Sequence, residues 1–120
     1  MAKRKARRPA TRRKVRRSAT AKLPKNAVTL AVILRAKEGQ EPLLEAELRA
    51  LIAPTRREDG CLTYDLHRAL EIPGAFLLHE VWATREHHRL HTKTPHFLRW
   101  DARKDALLAA RDATFWQQLA

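Results

Sequence analysis

The stretch Cys61–Trp82, "CLTYDLHRALEIPGAFLLHEVW", holds two short runs rich in β-branched, aromatic and aliphatic residues, separated by "LEIPG". Pro73-Gly74 is a turn signal, so the runs predict an antiparallel hairpin. In the second run Phe76, Leu78, Glu80 and Trp82 fall on one face by the period of two, with Leu77, His79 and Val81 on the other. A carboxylate beside Trp82 on an otherwise apolar face marks Glu80 for attention.

Reading outward gives the fold. Upstream, "EGQEPLLEAELRALIAPTRREDGC" predicts a helix. Pro42 suits its first turn, and Leu44, Leu48, Leu51 and Thr55 recur at helical spacing. Pro54 is expected to kink or weaken its last turns, and Gly60 to end it. Before that helix, "NAVTLAVILRAK" predicts a buried strand over Val28–Arg35. Downstream, Thr84 is the expected N-cap of a short helix, and Thr94 with Pro95 starts a second one running to Ala110. "ATFWQQL" reads as a last strand. The order β-α-β-β-α-β, with a split second helix, is a ferredoxin-like α+β arrangement.

Charge divides the 120-residue chain into two parts. Residues 1–25 contain twelve Lys or Arg and no acid, whereas residues 26–120 contain thirteen basic and thirteen acidic side chains. The first part has too few apolar residues to offset ordering entropy and is expected to be a disordered basic arm; the second is a neutral globular domain. A flexible segment of this charge is expected to bind nucleic acid without sequence preference, through Arg7, Arg8, Arg12, Arg13, Lys14, Arg16 and Arg17. No base-reading motif accompanies it. No stretch is long enough to span a membrane, and no apolar run of signal-peptide length follows the arginines. The single Cys61 cannot form an internal disulfide, which fits a reducing cytoplasm.

Four segments carry a family resemblance: "RAKEGQ" (35–40), "APTRREDGCLTYDLHR" (53–68), "PGAFLLHEVWAT" (73–84) and "LHTKTPHF" (90–97). In order and spacing they resemble the antibiotic biosynthesis monooxygenase (ABM) domains, which include quinol monooxygenases and anthrone oxygenases. That resemblance implies a dimeric α+β barrel: a small ferredoxin-like subunit pairing through its sheet, with a pocket between helices and sheet. It implies oxidation of a small aromatic, quinol or anthrone-like substrate by dioxygen, without a cofactor. His91 and His96 occupy the family's histidine positions at the helix junction, and Glu80 and Trp82 its strand motif. His88 and Thr92 depart from it, standing where apolar residues are usual, and so imply a more polar pocket or a more exposed helix.

The chemistry needs a base, a means of holding an anion and an aromatic slot. Histidine is the natural base near neutral pH. A phenol near pKa 10 and an imidazole near 6.5 differ by roughly 5 kcal/mol, which phenolate donors, or a histidine raised by a carboxylate such as Glu80, must offset. The expected base is His91, with His96 as second donor. Trp82, Phe97 and Trp100 are expected to line the slot, and Tyr64 to add a hydroxyl. Metal is not expected: His87 and His91 share a helix face, but no further ligand follows at a recognised spacing. Two other readings stand beside this one: a haem-binding or haem-degrading relative, and a non-enzymatic protein of the same fold held on nucleic acid by its arm.

Overall fold

The computed structural model describes residues 23–120. Along the chain come β1 (Val28–Ala36), α1 (Glu41–Arg56), β2 (Cys61–Arg68), β3 (Ala75–Trp82), α2 (Arg85–His91), α3 (Pro95–Leu107) and β4 (Leu108–Trp116). The four strands form one sheet in the order β2-β3-β1-β4, with every neighbouring pair antiparallel. The ferredoxin-like α+β arrangement is thus present. The basic segment expected to bind nucleic acid falls on residues 1–22, outside the described residues, save for Leu23–Lys25.

Strand alternation places the core. Leu30, Val32 and Leu34 of β1 lie opposite Glu80, Leu78 and Phe76 of β3, and all six are buried on the face that the helices cover. α1 presses Leu44, Leu48, Leu51 and Thr55 onto that face, the four positions that its helical spacing picks out. On the sheet's other face Ile33 and Trp116 remain 52% and 58% exposed.

Two boundaries differ from the sequence expectation. α1 ends at Arg56, because Pro54 has no N–H to donate and the next turn tightens: Arg57 and Glu58 donate to the carbonyls of Pro54 and Thr55. Gly60 lies beyond the helix, in the turn into β2, at φ +80° with the His87 side chain packed against it. A Cβ at Gly60 would come within 2.2–2.7 Å of that side chain, so glycine lets α2 sit against the turn. α3 stops at Leu107 rather than Ala110, and β4 starts at Leu108. The Ala-rich segment favours helix locally, but pairing Ala110 with Arg35 and Leu108 with Ala36 satisfies the β1 edge, and that tertiary gain prevails.

Candidate active site

The site is assembled at two chain corners. At the first, Thr84 and Thr94 cap α2 and α3 as expected, accepting from the N–H groups of His87 (3.1 Å) and Phe97 (3.3 Å). The Thr94 hydroxyl also donates to the His91 carbonyl at 2.8 Å, tying the end of α2 to the start of α3. The second corner is the α1–β2 turn, where the Glu58 carbonyl accepts from the Cys61 N–H at 3.2 Å. Packing of the Gly60 turn against α2 brings Glu58 to the histidines.

Glu58 Oε2 lies 2.7 Å from His91 Nδ1 and 2.6 Å from His96 Nε2. With Nδ1 donating to the carboxylate, a neutral His91 ring carries its lone pair on Nε2. The ring itself is 1% exposed and sits among aromatics. Its centroid is 4.8 Å from that of Trp82, 5.0 Å from Phe97 and 5.7 Å from Tyr64.

His91 forms part of the wall of a cavity of about 160 Å³ between the helices and the sheet. Of the residues expected there, Tyr64, Glu80, Phe97 and Trp100 also line it. Two do not. Trp82 is fully buried and stands behind the wall, donating from Nε1 to Glu80 Oε1 at 2.9 Å. His96 faces a separate small recess beside Glu47 and Leu51, and its Nε2 is linked to His91 through Glu58 Oε2 and, at 3.2 Å, the Thr94 hydroxyl. His88 and Thr92 do line the cavity and make that part of its wall polar. A larger cavity of about 300 Å³ lies between α1 and β2, but its Arg49, Arg56 and Arg68 are already paired with Glu45 or Asp65.

The electrostatics separate the titratable groups of the wall. Burial raises the Glu80 carboxyl to about 7, against the opposing pull of the Trp82 N–H and the Arg111 guanidinium. Burial lowers the His88 imidazole to about 4, with the charges of His91 and Arg85 acting in the same direction. It also lowers His91, against the raising effect of Glu58. Burial drives the Tyr64 hydroxyl well above the usual phenol range, so it remains a neutral donor. The expectation that Glu80 serves and raises the histidine is therefore corrected. The carboxylate at His91 is Glu58, and desolvation outweighs it.

Glu80 yields a direct stability prediction. In the folded chain it binds its proton more tightly than in the unfolded chain, so between about pH 4.5 and 7 the native state holds more protons and stability falls as pH rises. Glu80→Gln keeps an acceptor for Trp82 and removes that cost. It is expected to stabilise the protein at pH 8 by up to about 3 kcal/mol, with the gain vanishing toward pH 4. Urea unfolding at the two pH values checks this, and an equal effect at both would refute it.

Residues 27–103 match the antibiotic biosynthesis monooxygenase family. The chain belongs to that family. It is 40% identical over 65 residues to "Putative monooxygenase Rv0793" of Mycobacterium tuberculosis, a match covering 54% of this chain and 63% of that protein. An uncharacterized Synechocystis protein is 28% identical over 82 residues, covering 68% of this chain and 56% of its own length. The chain thus spans less than two thirds of either curated relative in these alignments. Solved structures agree on the fold. PA3566 from Pseudomonas aeruginosa superposes at TM-score 0.77 with 38% identity, covering 80% of this chain and 97% of that one. The structure of Rv0793 gives 0.75 with 30% identity, covering 79% and 97%.

The four ABM-like segments point to His91 but not to Glu58, Arg111 or Phe115. Glu58 lies inside "APTRREDGCLTYDLHR", yet "RRED" before a glycine has the composition of a solvated turn. Its role depends on a contact 33 residues away. Arg111 and Phe115 join the wall from β4; Phe115 lies within the segment that reads as a strand, and Arg111 between it and the expected helix end at Ala110.

Proposed function

We propose that this ABM protein oxidises a monocyclic quinol-like aromatic with dioxygen, without flavin or metal, using His91 as the general base. The observation that carries this reading is a buried imidazole on the wall of an aromatic cavity, held at Nδ1 by Glu58 so that Nε2 is the basic nitrogen. Proton removal gives an anion electron-rich enough to pass an electron to dioxygen. Recombination at carbon forms a peroxide, and its loss of water leaves a carbonyl. One oxygen atom enters the product and the other leaves as water.

Proton transfer from a phenol to His91 is uphill, and burial of the ring adds to the cost. Two groups oppose it. Glu58 at 2.7 Å stabilises the imidazolium as it forms, and Arg111 on the cavity wall supplies positive charge for the phenolate.

Size narrows the substrate. An apolar cavity of about 150 Å³ holds one benzene, so about 160 Å³ suits a single ring and not the three fused rings of an anthrone. Oxygen uptake by EDTA-treated protein is therefore expected with monocyclic quinols and not with anthrones. No uptake above the autoxidation blank for any monocyclic quinol, or a preference for anthrones, would overturn the reading.

We also propose that two copies pair through the open sheet face. Ile33 lies at its centre, flanked by Leu77 of β3, and Trp116 stands at one end. Ile33→Glu places a charge in that face and is expected to convert a dimer into a folded monomer in light scattering. A monomeric wild type would dismiss the pairing. The arm of residues 1–25 supports a separate proposal: its twelve positive charges hold the protein on nucleic acid independently of the cavity.

A further inference from the structure

His87 and His91 share a helix face, but the structure engages His87 elsewhere. Its Nδ1 is 2.8 Å from the Thr84 hydroxyl and its Nε2 is 3.4 Å from Asp59. Three donors, His91 among them, converge instead. Glu58, His91 and His96 come from the α1–β2 turn, the end of α2 and the start of α3, and their donor atoms lie within 4.8 Å of one another.

We propose that Glu58 Oε2, His91 Nδ1 and His96 Nε2 form a binding site for a divalent first-row transition ion of the Zn(II) type. Two imidazoles and one carboxylate are a donor set such ions accept, with a remaining position for water. The three segments are held before any ion arrives: Thr94 ties His91 to the α3 cap, and backbone bonds fix the Glu58 turn. Bonds of about 2.0–2.1 Å place tetrahedral donors roughly 3.3 Å apart, so Oε2 has to withdraw from each nitrogen by roughly 0.6 Å, and the two nitrogens, within 4.8 Å of each other, have to close by up to roughly 1.5 Å. Rotation of the Glu58 side chain together with a shift of the partly exposed His96 ring accomplishes both. Exposure of the side chains rises from 1% at His91 through 14% at Glu58 to 22% at His96, which lines a recess separate from the cavity and gives the ion an approach from solvent. Among the described residues no Lys or Arg pairs with Glu58, so an incoming cation displaces only protons.

The site bears on catalysis through His91, and this step rests on the base reading above. An ion on Nδ1 leaves the ring's one proton on Nε2. His91 can then donate to a ligand in the cavity but cannot take its proton. Ion binding and base catalysis therefore exclude each other, and the ion acts as an inhibitor.

The test is a Co(II) titration of the metal-stripped full chain, read by visible absorption, followed by displacement with Zn(II). One equivalent with the intense bands of a low-symmetry, four-coordinate site is expected. Glu58→Gln and His96→Gln should each weaken binding by more than the roughly 10–100-fold that losing an outer-shell partner costs, while His87→Gln leaves it unchanged. His96 is partly exposed, so its variant serves if Glu58→Gln does not fold. A wild type that develops no bands, binding that survives both substitutions in folded protein, or binding lost with His87 overturns the site. Oxygen uptake in EDTA is measured separately. Failure of the metal site leaves the base reading standing, and failure of the base leaves the Co(II) spectrum intact.

Discussion

His91→Gln is expected to lower turnover of the best monocyclic quinol by roughly 10²–10⁴-fold, the range over which a positioned general base contributes. The glutamine amide can still donate to Glu58, so the corner between α2 and α3 keeps its tie and the loss falls on proton removal. KM should change little, because the aromatic wall of Phe97, Trp100 and Tyr64 is untouched. The pH profile separates a base from a packing residue. His91 acts when neutral, and burial holds its titration below the ordinary value near 6.5. The wild-type rate should therefore stay level as pH falls through 6.5 and drop only on a limb below it. Glu58→Gln removes the group that opposes the lowering, so that limb should move further toward acid while the maximal rate falls. Turnover by His91→Gln within a few-fold of wild type, with the acid limb in place, would sink the assignment and transfer the role to Glu80, which titrates near 7 on the same wall.

Local rules account for the helix caps and for the facing of β3. Thr84 and Thr94 cap their helices because a threonine before a helix satisfies an N–H that has no other partner. Phe76, Leu78, Glu80 and Trp82 share a face because the strand period leaves no other arrangement. Depth within that face was not legible: Trp82 and Glu80 lie on the same side, yet only Glu80 reaches the cavity, since periodicity gives direction and not distance. The acidic partner of the histidines was not legible either. Glu58 is joined to His91 across 33 residues by the packing of the Gly60 turn against α2, and no local pattern encodes that approach. The same holds for Leu108–Ala110, where helix propensity pointed one way and the unpaired edge of β1 decided the other.

Binding of the full chain to duplex DNA is expected to weaken by roughly 10⁴-fold between 50 and 200 mM salt. Residues 26–120 carry equal numbers of basic and acidic side chains, so the net charge of +12 belongs to residues 1–25. If about eight of those charges neutralise phosphates, counterion release gives a log-log slope near −7, and a fourfold change in salt then yields that loss. The contacts are to the backbone, so random and repeated sequences should bind alike. Removing residues 1–25 should abolish retention while leaving oxygen uptake unchanged, because among the described residues the cavity wall is drawn from β1 onward. Anionic vesicles are the informative competitor. The arm has only Val15 and Leu23 as large apolar residues beyond Met1, too few to anchor in lipid, so vesicles should release the DNA only in large excess. A slope shallower than about −2, or affinity that persists without the arm, would show that these charges do not hold the protein on nucleic acid.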